Sequence, residues 1–163
     1  MCSSDLITVS GLADFSGTAI TLDNAGAHNF GQLRFASPGA VHIVEDSDTD
    51  IAGTNTALSL ALASAGAITD ASGASITVTN NGSFTATDAV TLNDNAADLL
   101  SVEGTAAFSG STVNVGPAGT FNAGSLNFNS AGAVTIQEDS DTDITGTNTA
   151  LSLALASAGA ITD

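Results

Sequence analysis

The sequence predicts an all-β chain wound as a parallel β-solenoid (β-helix) of about seven coils, and three observations carry the prediction. The first is a repeat. Residues 45–70, EDSDTDIAGTNTALSLALASAGAITD, return 93 residues later as residues 138–163 with a single change, Ala52 to Thr145. The second is a grammar of three-residue strands, apolar, variable, apolar, set between turn residues. The third is composition: 43% of the 163 residues are hydrophobic, with seven Phe but no Trp and no Tyr. Gly, Ser, Thr, Asn and Asp fill the remainder, which suits short strands joined by tight turns.

The opening MCSSDL reads as a translated sequencing-adaptor remnant, so residues 1–4 are taken as non-native. Cys2, the one cysteine, lies there, and no internal disulfide can form. A first repeat of 93 residues then spans 5–97, and a truncated second one spans 98–163. In that register Leu6-Ile7-Thr8-Val9 meets Leu99-Leu100-Ser101-Val102, and Phe15-Ser16-Gly17 meets Phe108-Ser109-Gly110. Ile20-Thr21-Leu22 meets Val113-Asn114-Val115, Leu33-Arg34-Phe35 meets Leu126-Asn127-Phe128, and Val41-His42-Ile43 meets Val134-Thr135-Ile136. Turn signals fall between these strands at Asp23-Asn24, Pro38-Gly39, Asn80-Asn81-Gly82, Gly116-Pro117 and Ala118-Gly119. Ile76-Thr77-Val78 and Val90-Thr91-Leu92 follow the same grammar in the unmatched middle of the period.

Leu58, Leu60 and Leu62 would spread over about 200° of a helix, whereas a strand places all three on one side, so a strand is expected. The second copy stops at Asp163 where the first runs on through Ala71-Ser72-Gly73. Both ends of the solenoid are therefore expected to present unpaired strand edges, and the fragment to self-associate through them.

Two architectures fit the period: four coils of roughly 23 residues, or a tandem immunoglobulin-like β-sandwich with about 100 residues per unit. The sandwich calls for fewer, longer strands and a buried Trp or a Tyr corner, and this chain has neither residue. The solenoid is the reading adopted. A lone coil of that length cannot offset the entropy of ordering its backbone, so its partners are the neighbouring coils of the same chain.

Gly-Ser-Phe-Thr-Ala at 82–86, Gly-Thr-Phe-Asn-Ala at 119–123 and the recurring Ala-Gly-Ala-Val-Thr-Ile and Ala-Gly-Ala-Ile-Thr-Asp phrases resemble the repeats of filamentous-haemagglutinin-like and autotransporter-type proteins. The likeness covers nearly the whole chain after Asp5. It implies a right-handed parallel β-helix in a giant secreted bacterial surface protein, serving as an adhesin stalk or fibre, and it carries over no catalytic residue.

Charge narrows the function classes. Seventeen acids against one base, Arg34, give a net charge of −16. Phosphate neutralisation needs clustered Lys and Arg, so nucleic acid is excluded, and an anionic membrane surface would repel the chain. No run approaches the ~18 apolar residues of a membrane helix, and TALSLALASAGA, internal and duplicated, is not a targeting signal. A mean hydropathy of +0.30 argues against disorder. The expected location is the cell surface or the extracellular medium.

The strongest chemical candidate is EDSDTD, where continued strand parity would project Asp46, Asp48 and Asp50 from one face. Clustered carboxylates suit calcium. The EF-hand pattern fails at Ile51 and Ala57, which stand where Gly and Glu are required. The second trio, Asp139, Asp141 and Asp143, lies four coils away, about 19 Å, too far to share an ion. A solvated acidic loop is expected, with weak calcium binding as the minority reading.

The same acids do not make a glycosidase, which needs two carboxyls in different environments; a copied cassette supplies identical ones. His28 and His42 face Phe121 and Thr135 in the other copy, and Arg34 faces Asn127, so no repeat-wide role rests on them. Nothing positions a triad, and without lysine there is neither P-loop nor Schiff base. Asn81-Gly82-Ser83 is a formal glycosylation sequon that reads better as a turn. The Phe set, including Phe15 with Phe108 and Phe35 with Phe128, is expected to stack inside. No catalytic, cofactor-binding or metal residue is assigned, and no enzyme is expected. The expectation is a structural repeat, stalk or fibre; the alternative is an extracellular glycan- or calcium-binding repeat module touching glycans or host surfaces.

Overall fold

The computed structural model describes residues 6–23 and 28–163. The residues read as non-native, 1–4, and Asn24 of the Asp23-Asn24 turn lie outside them. Among the described residues there is no helix, and every ladder between strands is parallel. The chain is a β-solenoid of about seven turns. Parallel ladders exclude the sandwich, whose hairpin and Greek-key connections require antiparallel neighbours.

Three columns of strands make the walls. The first runs through Ile20–Leu22, Ala40–Glu45, Ser59–Ser64 and Gly82–Ala86 into the second halves of Leu99–Gly110 and Thr120–Ser130. The second runs through Thr49–Ile51, Ile68–Asp70, Val90–Leu92, Val113–Val115, Ala133–Glu138 and Ser152–Ser157. The third runs through Thr54–Ala57, Ser75–Val78 and the first halves of Leu99–Gly110 and Thr120–Ser130.

The period-2 alternation now has a physical cause: each inward residue stacks on its counterpart one coil away. On the first wall Leu22, Ile43, Leu62, Phe84, Phe108 and Phe128 form one stack. On the second, Ile68, Val90, Val113 and Val134 form another. Phe84 and Phe108 stack at 5.4 Å between centroids, and Phe108 meets Phe121 edge-on at 5.8 Å. Each such buried side chain contributes about 1.5–3 kcal/mol relative to exposure. The expected interior Phe packing is found.

Two expectations are corrected. Leu60 and Leu62 are buried in Ser59–Ser64, but Leu58 precedes the strand and is 41% exposed. Its N–H donates to the Gly39 carbonyl across the corner, so it lies outside the alternation that buries the other two. The period is also not four coils of equal length. Val41 pairs with Leu60, Leu60 with Gly82, Gly82 with Ala106 and Ala106 with Leu126, so these coils take 19, 22, 24 and 20 residues. Coils this short make 93 residues into four turns plus one wall. Val41 stands on the first wall, while its copy Val134 stands on the second, in ladder with Val113.

Candidate functional site

The corners hold the polar chemistry. After Val41 and Ile43, inward parity brings Glu45 inside, where it is 1% exposed. Its Oε1 accepts from the Phe30 N–H at 2.7 Å and its Oε2 from the Thr49 hydroxyl at 2.6 Å. Burial pushes the Glu45 carboxyl above its ordinary value, against the opposing pull of the Thr49, Phe30 and Ser47 donors. Glu138 repeats the arrangement, accepting from the Ala123 N–H and the Thr142 hydroxyl, each at 2.8 Å.

The EDSDTD carboxylates do not act as a trio. Asp46 and Asp48 are exposed and Asp50 is half-buried, and the chain bends at Asp46 and Ser47, which breaks the strand. Asp48 Oδ1 accepts from the Ala67 N–H at 2.8 Å, and Asp50 Oδ2 from Gln32 Nε2 at 2.9 Å. Gly66 leaves the room this contact needs, since a Cβ there would collide with Asp48 Oδ1; Gly159 stands the same way over Asp141. The next corner is closed by Asn55, whose Oδ1 accepts from the Phe35 N–H at 2.9 Å while Nδ2 donates to the Ala52 and Gly53 carbonyls. Gly53 turns there with φ +66°.

Sequence reasoning missed a different acidic group. Asp70, Asp94 and Asp98 bring carboxylate oxygens within 4.8 Å of one another. Asp70 ends Ile68–Asp70 with inward parity, Asp98 precedes Leu99 with the same inward sense, and Asp94 sits exposed on the loop between them. Asp70 is 9% exposed and Asp98 2%. Asn93 opens the loop in the left-handed region, φ 59°, and its N–H donates to both Asp70 oxygens at 3.1 and 3.0 Å. Asp98 accepts from the Gly73 N–H at 2.6 Å through Oδ1 and from the Asn95 N–H at 2.9 Å through Oδ2. Burial, and after it the nearby Asp98 and Asp94 charges, push Asp70 up to about 7 against the Asn93 N–H. The available signal was the Asn-Asp-Asn-Ala-Ala-Asp run at 93–98, dense in residues that cap turns.

The other singled-out residues stay apart. Arg34 bonds Asp14 on the surface, which holds the Asp14 carboxyl below its usual range, and exposed pairs of this kind contribute little. His28 is 2% exposed with neither ring nitrogen hydrogen-bonded and lies face to face with Phe30. His42 points outward. Asn81 Oδ1 caps the Thr105 N–H at 3.0 Å, which supports the turn reading of the sequon. Among the described residues, no helix is long and apolar enough to cross a membrane.

Residues 38–105 match a family model described as repeats of unknown function (DUF5649). That stretch runs from the Pro38-Gly39 turn through the first cassette and includes Asp70, Asp94 and Asp98. No curated protein and no solved structure matches the chain. A repeat β-solenoid protein is what the match and the architecture together support.

Proposed function

We propose that the chain is a stalk or fibre segment of a secreted, adhesin-like bacterial surface protein, with no catalytic task of its own. One observation carries the reading: a single stack of parallel coils whose interior is filled by Leu, Ile, Val and Phe, with function left to length and outer surface. Each coil adds about 4.8 Å of rigid length. The outward ladders favour a passive surface. One of them, Thr21, His42, Ala61, Ser83, Ala107 and Asn127, is built of short or neutral side chains. A net charge of −16 keeps such an array soluble and away from nucleic acid and anionic membranes. Its partners are further coils, and through exposed ladder edges a second copy.

Antibody labelling and protease shaving of intact cells that make the parent protein test the reading. Surface accessibility and an elongated small-angle scattering profile are expected; a protected cytoplasmic antigen or turnover of polysaccharide by the purified chain would overturn it.

A further inference from the structure

We infer that the corner formed by Asp70, Asp94 and Asp98, together with the side-chain oxygen of Asn93, binds one calcium ion. Three carboxylates converge there without a counter-charge. The one arginine of the chain is bonded to Asp14, and there is no lysine. Two of the three carboxylates are buried, and like charges in such a place are costly unless a cation or a proton joins them.

Asn93 supplies the independent sign of a ligand. It is fully buried, and its Oδ1 is a buried oxygen with no hydrogen-bond partner. Its Nδ2 donates to the Thr120 carbonyl at 2.5 Å, which fixes which end of the amide is oxygen. Its backbone N–H donates to both Asp70 oxygens and its next residue is Asp94, so the orphaned oxygen belongs to a residue that itself forms this corner.

The donor set is all oxygen, which selects a hard cation. Two oxygens bound at about 2.4 Å to one calcium ion lie at most about 4.8 Å apart, and the three carboxylates fall within that limit; calcium also tolerates the irregular geometry of such a corner, whereas magnesium demands a near-ideal octahedron. The N–H groups of Asn93, Gly73 and Asn95 orient the Asp70 and Asp98 carboxylates, Asn95 Nδ2 donates to Asp94 Oδ1 at 2.6 Å, and each carboxylate keeps lone pairs for an ion.

Titration calorimetry of the whole chain with calcium chloride, alongside thermal melts in calcium and in sodium chloride of matched ionic strength, tests the site. The expected result is one ion bound per chain, a melting midpoint raised by several degrees in calcium alone, and weaker binding of magnesium. Asp94→Asn changes an exposed loop residue and should still fold, with affinity reduced on the order of tenfold. Asp46→Asn, in the EDSDTD bend, should bind as before. No heat and no calcium-specific shift up to about 10 mM would overturn the site. So would unchanged affinity in Asp94→Asn, or loss of binding in Asp46→Asn. Its failure leaves the spacer reading standing.

Discussion

Residues 45–70 and 138–163 differ at one position and turn the same corners with the same hydrogen bonds, yet they differ in what covers them. Asn148 repeats Asn55, accepting from the Phe128 N–H at 2.7 Å and donating to the Thr145 and Gly146 carbonyls. Ser157 donates to the Ser140 carbonyl at 2.6 Å, as Ser64 does to Ser47 at 2.5 Å. Burial diverges. Leu60 is 3% exposed and its copy Leu153 48%; Ile68 is 0% exposed and Ile161 50%. Over the first copy lie Gly82–Ala86 and Val90–Leu92, whereas among the described residues no strand pairs with the outer edge of Ser152–Ser157 or Ile161–Thr162. Conformation is therefore set by the coil itself and the one beneath it, while hydrophobic stabilisation needs the coil above as well.

The sharpest way to break this comparison is to cut the same leucine in both copies. Leu60→Ala should cost about 2–5 kcal/mol in urea denaturation, as buried leucines do, and Leu153→Ala less than about 1 kcal/mol. Equal losses would mean that the covering coil contributes nothing.

A second pair exchanges aromatic and imidazole at matched positions of the two repeats. Phe121, 0% exposed, fills the place that His28 holds without a partner for either nitrogen. Phe121→His should cost about 2–3 kcal/mol, and His28→Phe should raise stability by about 1 kcal/mol. A destabilised His28→Phe would show that the imidazole has a role the packing does not reveal.

The corner asparagines come next. Asn55→Ala strands the Phe35 N–H in a sealed corner and should cost about 1–3 kcal/mol, whereas Asn148→Ala, half-buried, lets water reach the Phe128 N–H and should cost under about 1 kcal/mol.

The smallest expected effect is on pH dependence. Glu45 holds its proton more tightly folded than unfolded, so its ionisation lowers stability as pH rises from the ordinary 4.5 through the raised value. Below that window the penalty is absent. Glu45→Gln keeps an oxygen for the Phe30 N–H and should lessen the fall of the denaturation midpoint as pH rises from 4.5, leaving the part due to Asp70 in place. An unchanged slope would assign the pH dependence to other carboxyls.

Much of this was legible beforehand, and residues show where legibility stopped. Val41-His42-Ile43 and Val90-Thr91-Leu92 declared their buried faces because alternation is a property of three adjacent residues. Leu58 misled because alternation cannot say where a strand begins, and the corner takes one residue more than the pattern suggests. The EDSDTD trio misled for the same reason: parity was carried across a bend. Glu45 was passed over as one acid among several, although parity with Ile43 already pointed it inward.

Asp70, Asp94 and Asp98 lay beyond reach for another reason. Asp70 belongs to the duplicated cassette, Asp94 to the unmatched stretch after it, and Asp98 opens the second repeat, so no spacing motif joins them. They meet because the coil between Ile68 and Val90 takes 22 residues and brings the 93–98 loop over the end of the coil below. The sequence by itself determined the strand grammar, the parallel stacking implied by the repeat, and the polar corners. Only the tertiary structure decided coil length, the one-wall rotation between copies, and which acids become neighbours. Turn and parity preferences act over a few residues, whereas cross-coil register accumulates from every corner before it and is fixed only when the ladders pair.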